Sequence, residues 1–240
     1  MDQIFRDRYS AGRQLAAALP AYCNRRDVLV LALPRGGVPV AYEIARALNA
    51  TLDILVVRRL GVPQQPELAM GTITSGGASL FNDALISLYG LTPRQIESVV
   101  RCEQIELEWR ERQYRGNRRP LHLAGRTVIV VDDGVATGAT MLVAVKALRA
   151  LHPAAIVMAV PVGPWESVRE LEFLTDDCVC LSTPAGFHAV SQWYYDFTQV
   201  TDEEVYELLL TTQSGGSVYR EKAEASPTLG DRGGIQSCRL

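Results

Sequence analysis

Residues 128–140 read VIVVDDGVATGAT, and they carry more structural information than any other part of the chain. The first four residues are apolar and β-branched, which is typical of a strand buried on both faces of a sheet. Asp132 and Asp133 follow, and small residues then lead into a segment with a helical apolar stripe. We therefore predict a strand, a tight loop and a helix start. Adjacent strand residues point to opposite faces, so both acids can face one ligand only if the strand ends between them.

The loop after the aspartates has the composition of an anion site. Glycine and alanine let backbone N–H groups approach phosphate oxygens, Thr137 and Thr140 offer hydroxyls, and the helix N-terminus adds partial positive charge. Two carboxylates would repel a phosphate, whereas a ribose diol offers them two donors and Mg²⁺ could neutralise the remaining charge. The prediction is a ribose phosphate site. The structural alternative is an acidic turn followed by a helix that Thr137 caps.

Strands and helices alternate on both sides of this stretch. Apolar runs of strand length lie at 28–33, 52–57, 155–160 and 178–181, with amphipathic segments between several of them. This alternation predicts an α/β fold with a mainly parallel twisted sheet flanked by helices, which binds ligands at the carboxyl ends of its strands. A long helix is expected from Thr92 to about Gly116, and its Glu–Arg pairs spaced i to i+4 indicate a solvated face.

Two segments lack this alternation. Residues 61–77 are rich in Gly, Pro, Gln, Ser and Thr, which predicts a long mobile loop, with a small hairpin within it as an alternative, that serves either as a lid or as a plain connection. Residues 214–240 contain few large apolar side chains, which predicts a disordered tail. We therefore expect one domain over residues 1–213.

Composition excludes several classes of protein. The 240 residues are 48% apolar and 21% charged with a net charge of -3, so a nucleic-acid partner is not expected. No apolar run reaches the roughly 20 residues of a membrane span, and residues 1–19 do not resemble a secretory signal. Five cysteines without a CxxC pair indicate neither a disulfide framework nor a zinc ribbon. A cytoplasmic location fits best.

Two segments of the chain resemble those of a known enzyme family. Residues 128–140 resemble the phosphoribosyl pyrophosphate (PRPP) motif of the type I phosphoribosyltransferases, and residues 34–37 (PRGG) lie where that family's pyrophosphate loop follows the first core strand. The order of elements is similar from about Phe5 to Leu210. The resemblance implies the type I phosphoribosyltransferase fold, a small C-terminal hood at about 184–200, and a non-proline cis peptide between Pro34 and Arg35. It also implies a homodimer.

The resemblance further implies an Mg²⁺-dependent enzyme that moves the 5-phosphoribosyl group from PRPP to a small nitrogenous acceptor. Arg35, Asp132 and Asp133 would be catalytic, Phe187 would stack on the acceptor, and Asp196 would meet a second Mg²⁺. The residues implied to bind PRPP are Arg35, Gly36, Gly37, Arg58, Arg59, Asp132, Asp133, Gly134, Val135, Ala136, Thr137, Gly138, Ala139 and Thr140.

The acceptor and the activity leave alternatives open. Ala136 stands where the 6-oxopurine branch has an aspartate facing the base, which counts against a hypoxanthine or guanine acceptor. One alternative is a regulatory protein of the same fold that senses PRPP without turnover. Another is a phosphosugar or nucleotide binder that does not recognise pyrophosphate, for which Arg35→Ala would weaken ribose 5-phosphate and PRPP equally. No histidine pairing or GxSxG elbow supports hydrolase chemistry.

Overall fold

The computed structural model describes residues 5–116, 118 and 121–213. In chain order its elements are α1 (Arg8–Ala17), a 3-10 turn (Pro20–Tyr22), β1 (Val28–Ala32), α2 (Gly37–Leu48), β2 (Thr51–Ile54), β3 (Val57–Val62), β4 (Gln65–Thr74), β5 (Ser79–Phe81), α3 (Asp83–Leu88), α4 (Pro93–Arg115), β6 (Thr127–Val131), α5 (Ala139–Ala150), β7 (Ala155–Val162), α6 (Trp165–Glu172), β8 (Asp177–Ser182), a second 3-10 turn (Val190–Trp193) and α7 (Asp202–Gln213).

The central sheet has five strands in the order β2-β1-β6-β7-β8, and every neighbouring pair is parallel. All residues of β1 and β6 are buried, as their continuous apolar sequences predict. Ala32 pairs with Val131 at the last position of these two strands. The loops that follow β1 and β6 therefore leave the sheet side by side at its carboxyl edge.

Helices cover both faces of this sheet. Val30 of β1 packs in a cluster with Ile44 of α2, whereas its neighbour Leu31 packs with Met141 of α5 in the cluster on the opposite face. Each such apolar side chain contributes roughly 1.5–3 kcal/mol when it is fully buried. The predicted parallel α/β architecture is confirmed.

The segment after β2 differs from the prediction. Residues 57–81 contain an antiparallel three-stranded sheet, β3-β4-β5, which is more extensive than the small hairpin considered within a long loop. Leu60, Val62, Met70 and Ile73 from β3 and β4 are buried against the main core, which stabilises the hairpin. A register shift beside Gly61 interrupts the alternation of apolar residues, so the strand pattern is weak in the sequence.

Helix α4 begins and ends close to the predicted residues. Thr92 caps it in a reciprocal capping box with Gln95, and the expected Glu–Arg pairs along it form. Its last turn, however, is not a solvated face. Arg115 is buried and donates to both carboxylate oxygens of Asp53 on β2, at 2.9 and 3.1 Å.

The segment ahead of α1 pairs with the region predicted as the hood. The backbone N–H of Phe5 donates to the Trp193 carbonyl at 3.0 Å, and the N–H of Tyr195 donates to the Phe5 carbonyl at 2.9 Å. Within the described ranges, no helix has the length and apolar character required to cross a bilayer. The predicted disordered tail, 214–240, lies outside the described residues.

Candidate functional site

The structure brings the two motifs of the sequence together. Strand β6 ends at Val131, so both Asp132 and Asp133 lie in the loop beyond it. A Cβ atom added to Gly36 would overlap Oδ2 of Asp133, and one added to Gly37 would lie 2.9 Å from the Cα of Asp132. These two glycines therefore allow the loop after β1 to pack directly on the acidic pair.

Two helix N-termini meet at the same edge. Helix α2 begins at Gly37 and α5 begins at Ala139, and neither has a side-chain cap on its first N–H groups. At α2 the N–H groups of Gly37 and Val38 donate to the Leu33 and Arg35 carbonyls, so of the two helices α5 offers the freer donors to an anion. Ala136, Thr137, Ala139 and Thr140 around the start of α5 are exposed, which leaves room for a phosphate group.

Two of the backbone N–H groups predicted to bind PRPP already have partners within the chain. The N–H of Gly37 donates to the Leu33 carbonyl at 3.1 Å, and the N–H of Val135 donates to the Val162 carbonyl at 2.8 Å. Thr137 accepts the N–H of Ala139 only at 3.5 Å, so its capping of α5 is weak. These contacts give Gly37 and Val135 a role in shaping their loops.

Arg35 emerges from the loop after β1, and the peptide bond between Pro34 and Arg35 is cis as expected. Nη1 of Arg35 lies 3.6 Å from Oδ1 of Asp202 at the start of α7, and both side chains are partly exposed. The hydroxyl of Tyr114 donates to the same carboxylate oxygen at 2.7 Å. Burial and this hydrogen bond raise the pKa of Tyr114 to about 12. An anion at the loop would compete with Asp202 for Arg35.

The two arginines at the base of the hairpin differ. Arg58 pairs with Glu103 of α4 at 2.6 Å, with about a quarter of each side chain exposed. Arg59 is exposed. Both line a cavity of about 460 Å³ between the hairpin and α4. Arg59 has no ion pair among the described residues, so of the two it can contact a ligand without breaking one.

The acidic pair has an unequal electrostatic environment. Burial raises the pKa of Asp132 well above its ordinary value, and the charge of Asp133 raises it further. Burial also raises the pKa of Asp133, but the guanidinium of Arg8 opposes that rise from 2.8 Å away. Oδ1 of Asp132 accepts the N–H of Asp133 at 2.9 Å. The pair is thus held in place by the chain itself.

The region predicted as a hood lies on the phosphate loop. A Cβ atom on Gly134 would lie 2.6 Å from Cγ1 of Val190, so only glycine permits this contact. Phe187 stacks on Trp193 with ring centroids 6.1 Å apart, which places one face of its ring inside the chain. Asp196 is exposed and accepts from the N–H and the hydroxyl of Thr198.

Several residues at this edge were missed by sequence reasoning. Ser167 of α6 donates its hydroxyl to the Ala136 carbonyl at 2.9 Å, and the Tyr194 hydroxyl donates to the Asp133 carbonyl at 2.6 Å. No local pattern marks either contact. Arg8 does carry a signal, because it lies three residues after Phe5 on the apolar stripe of the first helix, where a charged side chain is unexpected.

Comparison with known proteins identifies the family. A family model described as the phosphoribosyl transferase domain matches residues 1–197. Proteins from two strains of Mycobacterium tuberculosis, provisionally named phosphoribosyl transferases, are 47% identical over 223 residues, which is 93% of this chain and 49% of theirs. The chain thus spans about half the length of these curated relatives.

A solved structure agrees with this match. The crystal structure of the TT1426 protein from Thermus thermophilus has a TM-score of 0.75 and 40% identity, and the match covers 86% of this chain and 98% of that one. Fold, motifs and relatives therefore agree, and the chain belongs to the phosphoribosyl transferase family.

Proposed function

We propose that this chain binds PRPP with Mg²⁺ and transfers its 5-phosphoribosyl group to a nitrogen atom of a small heterocyclic acceptor, releasing pyrophosphate. One observation carries the proposal. The loops after the adjacent strands β1 and β6 pack on each other, so that an arginine, an acidic pair and two helix N-termini converge at one edge of the sheet.

The donor would lie across these two loops. The exposed start of α5 would hold the 5-phosphate, because its first N–H groups lack side-chain caps. The acidic pair would accept hydrogen bonds from the ribose diol. Arg35 would bind the pyrophosphate after exchanging Asp202 for it, with Arg59 as a second cation. This arrangement places the anomeric carbon between the two motifs.

The oxygen ligands available at this site are compatible with Mg²⁺. In proteins this ion is commonly held by one or two carboxylates together with substrate phosphates and water. Asp132 supplies a partly buried carboxylate, whereas the described residues contain no group of three or more acidic, His or Cys side chains that could hold a metal alone. Bound through Asp132 and the pyrophosphate, Mg²⁺ would neutralise the leaving group. Asp196 remains a candidate for a second ion.

In the reaction, the bond between the anomeric carbon and the pyrophosphate oxygen breaks, and pyrophosphate leaves with the electron pair. The acceptor nitrogen forms the new bond to carbon and loses its proton. Arg35 would stabilise the charge that develops on the leaving oxygen. The β3–β4 hairpin would exclude water, which otherwise competes as the nucleophile. Phe187, in the hood, would contact the flat acceptor.

The proposal is tested by pyrophosphate release from PRPP and Mg²⁺ across a panel of purines, pyrimidines and other nitrogen heterocycles. We expect release that depends on one acceptor and falls by at least about a hundredfold in Arg35→Ala, the scale typical of a lost electrostatic contact in a transition state. The matched control is Arg46→Ala, which removes an exposed arginine of α2 that pairs with Glu43.

Tight PRPP binding without acceptor-dependent release would contradict transfer and favour the sensing alternative. Equal loss of ribose 5-phosphate and PRPP affinity in Arg35→Ala would contradict the assignment of its loop to pyrophosphate. A homodimer in the cytoplasm is part of the proposal, and light scattering of the purified chain tests the dimer.

A further inference from the structure

Arg8, at the first position of α1, makes a buried contact with Asp133 of the PRPP motif, 125 positions away. Its Nε donates to Oδ2 of Asp133 at 2.8 Å, and its Nη1 donates to the Thr198 carbonyl at 2.8 Å. The guanidinium also lies 3.8 Å above the ring centre of Phe197. Only 8% of Arg8 is exposed. The side chain therefore has three fixed partners and little freedom.

Asp133 is held from three sides. Arg8 contacts its carboxylate, the Tyr194 hydroxyl donates to its carbonyl, and Gly36 lies against Oδ2 so closely that no side chain fits there. Rotation of this carboxylate would break the contact with Arg8. The conformation of Asp133 is therefore determined by Gly36 of the other motif together with Arg8 and Tyr194, which lie outside both motifs.

Fold stability alone is a weak reason for such a pair. Removing two charges from water costs several kcal/mol per ion, and apolar residues of the same volume often stabilise a protein equally well or better. A planar guanidinium, however, can fix the direction of a carboxylate that a ligand must meet. The guanidinium of Arg8 also neutralises the charge of Asp133, one of two adjacent carboxylates beside a site for an anionic ligand.

We infer that Arg8 is a positioning residue of the donor site, which holds the carboxylate of Asp133 against Gly36 so that the acidic pair presents a fixed arrangement to the ribose diol. The inference rests on the proposed donor site, but it does not require turnover. Arg8 acts through Asp133, at the ribose, and not at the pyrophosphate. Its loss should therefore affect every ligand that contains the ribose phosphate.

The test is direct titration of the full chain with ribose 5-phosphate and with PRPP, each with Mg²⁺. Arg8→Met keeps much of the aliphatic stem over Phe197 but removes the charge, and we expect both ligands to bind about tenfold more weakly, by a similar factor. Arg35→Ala should instead weaken PRPP far more than ribose 5-phosphate. Arg6→Met is the matched control, because the Arg6 side chain is 88% exposed.

A double-mutant cycle separates positioning from general stability. If Arg8 acts through Asp133, adding Arg8→Met to Asp133→Asn should cause little further loss of ribose 5-phosphate affinity. Additive losses, or a lower melting temperature with unchanged affinity for both ligands, would overturn the inference. Arg8→Lys keeps the charge without the planar fork, and full rescue by it would contradict a role in orientation. Wild-type protein that binds neither ligand would overturn this inference and the proposed function together.

Binding without pyrophosphate release would overturn only the transfer reaction. Unchanged ribose 5-phosphate binding in Arg8→Met, with release intact in the wild type, would overturn only the role of Arg8.

Discussion

Asp132 and Asp133 are neighbours in the sequence, but their carboxylates have different surroundings. Asp133 has a cationic partner, Arg8, at 2.8 Å, whereas Oδ1 of Asp132 accepts the backbone N–H of Asp133. Burial and the adjacent charge both disfavour the ionised form of Asp132. Burial of the charge therefore destabilises the fold at Asp132, whereas Arg8 compensates the charge of Asp133.

We predict opposite effects on stability for two isosteric substitutions at these positions. Asp132→Asn should raise the free energy of unfolding by about 1 kcal/mol, because it removes a buried charge and its repulsion. Asp133→Asn should lower it, by at most the roughly 3–5 kcal/mol typical of broken buried pairs, because Arg8 loses its counterion. Urea denaturation at neutral pH measures both values. Changes of the same sign in the two variants would contradict this account.

The same asymmetry predicts a pH dependence. The pKa of Asp132 is raised in the folded chain. Between about pH 4, the ordinary pKa of an aspartate, and that raised pKa, the folded chain holds a proton that the unfolded chain has released. Stability from this group therefore falls as pH rises through the window. The advantage of Asp132→Asn over the wild type should grow as the pH rises from about 4 through that raised pKa. A constant difference would show that Asp132 has an ordinary pKa.

At the scale of elements, the β3–β4 hairpin is the part that sequence patterns predicted least well, since they indicated a long loop with a small hairpin only as an alternative. Its buried positions include Leu60 and Met70, but Gly61 and Gly71 interrupt the alternation that marks a strand. The central strands were predictable because each is a short continuous apolar run between helical patterns. The hairpin instead gains its stability from packing on distant elements, which no local window contains.

The hairpin is attached to α4 through the Arg58–Glu103 pair, and this predicts its mobility. Glu103→Gln should increase amide hydrogen exchange across Val57–Thr74, while global stability changes by less than about 1 kcal/mol because the pair is partly exposed. Glu97→Gln is the control, since the Glu97–Arg101 pair lies on the same helix with more than 70% of each side chain exposed. Equal exchange in the two variants would rule out attachment through Arg58.

At the scale of the whole molecule, a buried charged cluster joins three elements. Asp53 of β2 accepts two hydrogen bonds from Arg115 of α4, while Arg118 donates to the Leu52 carbonyl and to the Leu209 carbonyl of α7. The sequence shows Arg115 only as one member of a regular Glu–Arg series. Arg115 lies against Asp53 of β2, 62 positions away in the sequence, so its burial could not be predicted from spacing along α4.

We predict that Asp53→Asn lowers the free energy of unfolding by about 3 kcal/mol, because it removes the buried carboxylate that Arg115 and Arg118 share. Asp27→Asn is the control and should cost much less, since 43% of the Asp27 side chain is exposed. Chemical denaturation measures both. Similar losses in the two variants would show that the cluster adds no more than a surface pair.

The candidate site shows the same limit of sequence reasoning. The loop after β6 was predicted from its own residues and the loop after β1 from the family resemblance, and the parallel sheet explains why they meet. The contacts of Arg8 and Tyr194 with Asp133 span 125 and 61 positions and follow no repeating pattern. These contacts form only because α1 and the segment around Tyr194 pack beside Asp133 in the folded chain.

Helix α7 lies beyond the segment that the family model matches, 1–197, yet its first residue, Asp202, contacts Arg35. A chain shortened to the family boundary would keep all five central strands but lose the resting counterion of this arginine. In the proposed site, Arg35 of such a truncation would meet pyrophosphate without first displacing a carboxylate. Val205 and Leu209 of α7 are buried in the main core, so trimming at residue 197 also removes packing that trimming at residue 213 keeps. The two proteins should therefore differ in stability as well as in affinity for simple anions.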